Sequence, residues 1–309
     1  MIDFDAVQEP QEMRTLSVSK IETALLCGLK LKYSYVDKIP RLGAWVLLAG
    51  NVFHEIVEFA LRERAAKGAY PDWKTLDGMF EPVWNRRVQD AEGKPDFIGW
   101  EEKPDDPMEK IKAEYRPLIR VAREEVLPTL QPWMLGNEPV VEQQISMEIQ
   151  SPVGPFNLLG YIDYLDASGV LMDWKTTQLN EKGELSKRAQ RTWLQFAAYS
   201  LWAYPIVGEE DLRCEKLFLV RGEKPSVVRK KFVVGRKHRE WFIRVAGAVW
   251  QMIKLKIFLP NTESWSCNPD FCAFFGGCRG EIPGELDLFK KDSDTELVAA
   301  SPEDAGFFE

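Results

Sequence analysis

Three short segments with a residue period of two, joined by turn-forming residues, constrain the fold of this chain most strongly. Apolar residues alternate over residues 140–149 and 156–165, and a third apolar run covers 170–174. Proline and glycine at 152–155, and Asp, Ser and Gly at 166–169, are typical of tight turns between strands. The sequence therefore predicts a meander of three antiparallel strands in the middle of the chain.

Apolar stripes at helical spacing predict helices on both sides of this meander. The predicted helices begin at Ser19 and after Gly50 and cover about 111–126, 188–204 and 237–257, and two further strands cover 212–221 and 226–234. This order of helices, meander, helix, strand pair and helix predicts an α/β fold with a mixed sheet flanked by helices.

The composition suggests one large domain with two polar extensions. We expect an N-terminal arm at 1–16, a domain at 17–280 and an acidic, flexible tail at 281–309. Within the domain, 68–107 is rich in Pro, Gly, Trp and acidic residues, which predicts an irregular insertion with short helices. No apolar run approaches 18 residues and the N-terminus is acidic, so we expect a cytoplasmic protein.

Two carboxylates and a lysine converge on the predicted meander. Asp163 lies in the second strand, and Asp173 and Lys175 lie in the third. Adjacent antiparallel strands can bring Asp163 close to Asp173, and residues two apart on a strand share one face. Two ionised carboxylates repel each other unless a cation lies between them, and Mg²⁺ and Mn²⁺ favour oxygen ligands. The pattern predicts a divalent-cation site, with Lys175 placed to orient or deprotonate an attacking water.

The D-x-K pattern alone is also typical of a strand whose polar face merely alternates charge. Adding Asp163 across a hairpin leaves the two interpretations about equal. Further residues favour the metal site: His54 follows Gly50 by four residues, and Gln195 and Tyr199 lie four apart, on one face of a predicted helix.

In this order, the motifs G-x3-H, G-x-x-D, D-x-K and Q-x3-Y resemble the RecB-like branch of the PD-(D/E)XK nuclease superfamily. That branch includes the nuclease domains of RecB and AddAB, CRISPR-associated RecB-like nucleases and many phage exonucleases. The resemblance covers about residues 17–280 and implies a restriction-endonuclease-like core. It also implies metal-dependent hydrolysis of DNA, as an exonuclease on single strands or DNA ends, in recombination, repair or CRISPR adaptation. The implied setting is the cytoplasm of a bacterial or phage-infected cell.

The resemblance assigns a role to each motif residue. The implied ligands of Mg²⁺ or Mn²⁺ are His54, Asp163 and Asp173, with the Trp174 carbonyl as a further ligand. Lys175 would be the catalytic lysine, and Gln195 and Tyr199 would position the DNA backbone. Glu142, on the preceding strand, is a further candidate, with an ordinary exposed strand glutamate as the alternative.

Two other functions remain open at this point. A non-catalytic iron–sulfur DNA-binding subunit is disfavoured because degenerate members usually lose at least one of the motif residues. A sequence-specific restriction-type endonuclease is disfavoured because no recognition domain is appended.

Five cysteines in a chain expected in the cytoplasm favour metal binding over disulfides. The candidate ligands are Cys27 near the start of the domain and Cys267, Cys272 and Cys278 in the segment 267–278, whereas Cys214 is predicted to lie in the core. These positions resemble the iron–sulfur members of the same branch, which join their N- and C-terminal segments around a 4Fe-4S cluster. The sequence departs from that pattern in the C-x4-C spacing and in Gly28, where proline is usual. A zinc site and buried free thiols remain alternatives.

The net charge of −8 is concentrated in the tail. Residues 281–309 hold nine acidic and two basic residues, a net of −7, which leaves about −1 for the rest of the chain. Basic clusters at 182–191 and 229–239 fit either a DNA surface or two solvated faces, so the acidic balance does not exclude DNA. Residues 285–289 resemble the Q-L-x-L-F peptide that binds bacterial sliding clamps, which makes a sliding clamp a candidate partner. The alternative is that these side chains pack onto the domain.

Overall fold

A mixed sheet lies at the centre of the part of the chain that the structure describes. The structure is a computed structural model and describes residues 13–180, 182–186 and 193–280. The sheet has five strands in chain order, β1 (Val141–Ile149), β2 (Phe156–Leu165), β3 (Leu171–Thr177), β4 (Leu212–Val220) and β5 (Ser226–Val234). Neighbouring strands are antiparallel except β3 and β4, which are parallel and therefore need a crossover connection.

Helices cover both faces of this sheet. The main helices are α1 (Val18–Leu26), α2 (Trp45–Lys67), α3 (Trp73–Glu92), α4 (Met108–Val121), α5 (Trp193–Val207) and α6 (Arg236–Lys254). Helices α2, α3 and α4 share one hydrophobic core with the sheet, and α1, α5 and α6 share a second. The crossover between β3 and β4 contains α5. The predicted α/β class, with a mixed sheet flanked by helices, is confirmed.

Shorter elements connect these layers. They are helices at Gly28–Leu31 and Phe275–Gly280, π-helical turns at Lys32–Val36 and Ala122–Val126, a 3-10 turn at Leu127–Thr129, a parallel strand pair at Arg41–Gly43 and Phe97–Trp100, and an antiparallel pair at Met134–Leu135 and Glu138–Pro139.

The predicted irregular segment at 68–107 is instead built around α3, a single helix of 20 residues. Its apolar side chains Leu76, Phe80 and Trp84 recur at intervals of four and are buried against α2. Pro82 and Gly78 mark this stretch as a poor helix by local preference. Tertiary burial of one apolar face outweighs that preference, so the expectation of short helices was wrong.

The N-terminal boundaries also differ from the expectation. Ser17, not Ser19, caps α1 by accepting a hydrogen bond from the backbone N–H of Lys20 at 3.3 Å. Leu16, placed in the arm at 1–16 by sequence, is fully buried and bridges Leu158 in the parallel sense. The bridge uses the edge of β2 that faces away from β1, so the chain joins the core one residue earlier than predicted.

Helix α2 begins at Trp45, before Gly50, so His54 lies in its third turn rather than its first. Glycine inside a helix costs about 1 kcal/mol relative to alanine, and burial of Leu48 and Ala49 offsets that cost.

Several expectations fall outside the described residues. These are the N-terminal arm up to residue 12, most of the basic cluster at 182–191, and the tail at 281–309 with its clamp-like segment 285–289. Among the described helices, none is both long and apolar enough to cross a membrane.

The contact between Gly28 and Leu259 joins the N-terminal helices to the segment after α6. The N–H of Gly28 donates to the Leu259 carbonyl at 2.8 Å, and a Cβ on residue 28 would lie 2.7 Å from both the backbone N and O of Leu259. A side chain at position 28 therefore cannot be accommodated without moving the backbone.

We expect Gly28→Ala to lower the free energy of unfolding by about 1–3 kcal/mol, as overpacking of a close contact does. Urea denaturation measures the change. Gly78→Ala is the matched control, because no atom lies within 4 Å of its added Cβ, and it should be neutral or stabilise α3 by up to about 1 kcal/mol. Wild-type stability of Gly28→Ala would contradict the close approach.

Candidate functional site

The candidate site lies where strands β2 and β3 separate. Their described ladder consists of Tyr164 opposite Met172 and Leu165 opposite Leu171, so the next pair in this register is Asp163 opposite Asp173. At that point the backbone N–H of Trp174 donates to Asp163 Oδ2 at 3.0 Å. The carboxylate of Asp163 thus takes the place of a backbone acceptor and lies buried between the two strands.

Asp173 is fully buried and surrounded by donors. Its Oδ1 accepts hydrogen bonds from Lys175 Nζ at 2.8 Å and from Gln195 Nε2 at 2.7 Å. Its Oδ2 lies 3.6 Å from Lys216 Nζ and has no hydrogen-bond partner. The parallel pairing of β3 and β4 sets Lys216 beside Asp173. Two lysines therefore balance one buried carboxylate.

The surroundings of the two aspartates shift their pKa values in opposite directions. Burial, followed by the negative charge of Asp173, raises the pKa of Asp163. Burial also opposes ionisation of Asp173, but the charges of Lys175 and Lys216 outweigh it and lower its pKa. The site therefore favours Asp173 as a carboxylate, whereas the charges of Lys175 and His54 lower the pKa of Asp163 by less than burial and Asp173 raise it.

His54 on α2 and Glu142 on β1 complete the site from the side. His54 Nδ1 lies 3.0 Å from Glu142 Oε1 and 3.9 Å from Asp163 Oδ2. One ligand atom from each of these three residues lies within 4.8 Å of the others. Two carboxylate oxygens and an imidazole nitrogen form a donor set that suits Mg²⁺ or Mn²⁺.

Gln195 and Tyr199 both reach the site from α5. Gln195 contacts Asp173, as described above, and the ring of Tyr199 lies against the backbone of Gly160 on β2. A Cβ on residue 160 would lie 2.9 Å from Tyr199 Cε1. The glycine of the G-x-x-D motif is therefore the residue that lets the tyrosine approach the strand.

The structure brings together six residues named from sequence, namely His54, Asp163, Asp173, Lys175, Gln195 and Tyr199. Glu142, the further candidate on the preceding strand, lies in the same site. Lys216 was missed. Its signal was a lysine directly before the apolar run Leu217–Val220 of β4. The sequence does not show which strand lies beside it.

The four candidate cysteines lie far from this site in sequence and share one cavity. Cys27, Cys267, Cys272 and Cys278 all line it, together with aromatic side chains that include Tyr33 and Phe274. Burial raises the pKa of the Cys272 thiol. Cys214 lies elsewhere, buried in the core on β4, as predicted.

The chain belongs to the PD-(D/E)XK nuclease superfamily, whose family model matches residues 15–279. No curated protein matches the chain in sequence. The matched range contains the whole sheet, the fork between β2 and β3, and the four cysteines. The protein therefore has a nuclease fold, and its acidic residues Asp163 and Asp173 lie where strands β2 and β3 separate.

Two solved structures share limited similarity with the chain. One is SSO0001, at 12% identity and a TM-score of 0.41, covering 88% of this chain and 89% of that one. The other, from Eubacterium rectale, is named "Putative exonuclease" and has 13% identity and a TM-score of 0.43, covering 94% and 92%. Similarity at this level adds nothing to the assignment of a function.

We expect Gly160→Ala to destabilise the fold by about 1–3 kcal/mol, because the added methyl group overlaps the ring of Tyr199. A double-mutant cycle with Tyr199→Leu tests the contact by urea denaturation. In the Tyr199→Leu background, Gly160→Ala should cost clearly less. Equal costs in both backgrounds would show that the ring is not what the methyl group meets.

Proposed function

We propose that the chain is a RecB-like deoxyribonuclease that hydrolyses DNA phosphodiester bonds with Mg²⁺ or Mn²⁺. The observation that carries this proposal is the convergence of Asp163, Asp173 and Lys175 at one fork of the sheet. A β-strand without a functional site rarely buries two carboxylates side by side, because their mutual repulsion and their desolvation cost free energy unless a cation is present. Membership of the nuclease superfamily supports the same interpretation.

The residues present fit a divalent cation. Asp163 has no lysine or arginine within ion-pair distance among the described residues, and the buried Oδ2 of Asp173 lacks a hydrogen-bond donor. His54, Asp163 and Asp173 are the proposed ligands, with the Trp174 carbonyl as a further ligand. A bound Mg²⁺ or Mn²⁺ supplies a water of lowered pKa and polarises the scissile phosphate.

The protein side chains carry the remaining roles. The Nζ of Lys175 contacts Asp173 Oδ1 at 2.8 Å, yet the Lys175 side chain is 41% exposed. Lys175 can therefore also face a phosphate in the cleft. We propose that Lys175 orients the attacking water and offsets charge that develops on the phosphate. Gln195 fixes Asp173 on β3, and Tyr199 lies beside Gly160 on β2, where it would position the DNA backbone.

An open cleft gives a substrate access to this site. Its walls come from α2, β1, α3 and β3, and its lining residues include Leu47, Asn51, His54, Arg87, Glu142 and Lys175. The lining also includes Glu55 and Glu58, and Arg87 is paired with Glu55 at 2.7 Å. Lys175 therefore supplies the positive charge that can face a phosphate in this cleft. The cleft is consistent with entry of a single strand or a DNA end.

Cleavage tests the proposal directly. Asp163→Asn and Lys175→Ala should each lower the rate by about a thousandfold or more, equivalent to about 4 kcal/mol of transition-state stabilisation. Labelled single- and double-stranded DNA with Mn²⁺ or Mg²⁺ provides the assay, and circular dichroism checks folding. Because His54 offers nitrogen, Mn²⁺ should support activity at least as well as Mg²⁺.

The exposed Lys67→Ala, at the end of α2, is the matched lysine control and should cleave like the wild type. Full activity in excess EDTA, or wild-type rates from Lys175→Ala, would reject the assignment. Circular single-stranded DNA separates the modes of cleavage, because an exonuclease leaves it intact and an endonuclease opens it. A folded wild type that binds DNA without cutting it would favour the non-catalytic alternative.

We also propose that Cys27, Cys267, Cys272 and Cys278 hold a 4Fe-4S cluster. All four line a single cavity although 240 residues separate Cys27 from Cys267. Cysteine thiolates are the usual ligands of such clusters, and this cavity draws them from both ends of the domain.

Anaerobically purified protein should be brown, with about four iron atoms per chain. Cys27→Ala should lose iron and lower the melting temperature, because the site closes a loop of about 240 residues. Iron analysis and thermal denaturation measure both effects. Cys214→Ala, in the core away from the cavity, is the control that should retain iron. Zinc without iron would reassign the site.

A further inference from the structure

The positive charge in the candidate site is distributed unevenly. Asp173 has Lys175 Nζ at 2.8 Å, Lys216 Nζ at 3.6 Å and a hydrogen bond from Gln195. Its charge is therefore already balanced by the protein. A cation that bound mainly through Asp173 would have to compete with two ion pairs formed in a buried environment, where such pairs are strong.

The other carboxylates of the site have no such partners. Among the described residues, the charged group found within ion-pair distance of Glu142 or of Asp163 is His54, at 3.0 Å and 3.9 Å. No described lysine or arginine pairs with either acid. Asp163 is buried, and Glu142 is only partly exposed, so solvent compensates their charges poorly.

Three separate elements bring these groups to one point. His54 comes from α2, Glu142 from β1 and Asp163 from β2, and their ligand atoms lie within 4.8 Å of one another. Asp173 does not belong to this group. Glu142 adopts a positive φ of 46°, which is uncommon for a residue with a Cβ. Its side chain is directed to His54, as their hydrogen bond shows.

We propose that Glu142 is a metal ligand and that His54, Glu142 and Asp163 form the tightest cation position of the site. Asp173 contributes less to cation affinity, because Lys175 and Lys216 already balance its charge. This inference rests on the proposed nuclease function and extends it to a residue outside the four sequence motifs. It predicts that cation affinity depends more on Glu142 and Asp163 than on Asp173.

The test measures Mn²⁺ binding to the full-length protein without DNA, by calorimetry and by the electron paramagnetic resonance of free Mn²⁺. Glu142→Gln keeps the size of the side chain and removes its charge, and should weaken the tightest Mn²⁺ site by at least tenfold. Asp173→Asn should weaken it by less. Glu148→Gln, exposed near the far end of β1, is the matched control and should bind like the wild type.

A second variant, Glu142→Asn, serves as the control for correct folding. Asparagine tolerates positive φ better than glutamate, so Glu142→Asn should fold at least as well in EDTA and show the same loss of Mn²⁺ affinity. Wild-type Mn²⁺ affinity in both Glu142 variants would overturn the proposal. A larger loss from Asp173→Asn than from Glu142→Gln would overturn it too, because the cation would then lie mainly between the two aspartates.

A cleavage assay on the same proteins separates this inference from the proposed function. If Asp163→Asn abolishes cleavage while Glu142→Gln binds Mn²⁺ normally, the nuclease assignment stands and the role of Glu142 is rejected. If the wild type binds Mn²⁺ through Glu142 yet cuts no DNA, the ligand assignment stands and the nuclease assignment is rejected.

Discussion

The separation of β2 from β3 is the constraint on which the rest of the site depends. A continuous ladder would pair Asp163 with Asp173 through backbone hydrogen bonds. Because the Trp174 N–H donates to the Asp163 side chain instead, the strands part at the acidic residues and the backbone donor stays satisfied. The opening also leaves the other edge of β2 free, and Leu16 bridges to it.

Buried charge is the second determinant of the site. A carboxylate as deeply buried as Asp173 is unfavourable without partners, and Lys216 supplies one from the neighbouring strand while Lys175 supplies another from its own. This arrangement leaves Lys175 half exposed and able to serve a substrate, since Lys216 keeps Asp173 compensated. Glu142 and Asp163 have no lysine or arginine within ion-pair distance among the described residues, which is why we propose that the affinity of the site for a cation originates there.

The N- and C-terminal segments of the domain meet through the backbone contact of Gly28 with Leu259, a hydrogen bond from Lys30 Nζ to the Phe271 carbonyl, and packing of Tyr33 against Phe274. Gly28 has no Cβ, so the backbone of Leu259 can lie against it. The cysteine cavity lies next to this contact because Cys27 precedes Gly28. Ligation by cysteines from both segments would close most of the chain into one loop and reduce the entropy of the unfolded state. The close contact between the two segments supports such ligation without requiring it.

The sequence by itself determined the strand meander and the α/β class, because these depend on short-range periodicity, whereas the motif residues were named by resemblance to a family. Residues two apart on a strand share a face, so the alternation alone places Asp173 and Lys175 together. It did not determine α3, where Pro82 and Gly78 obscure a helix that is stabilised by burial of Trp84 against α2. Only the tertiary structure decided that Lys216 lies beside Asp173 and Glu142 beside His54. These neighbours are 43 and 88 residues apart, and the packing of strands and helices, which no local pattern encodes, sets their distances.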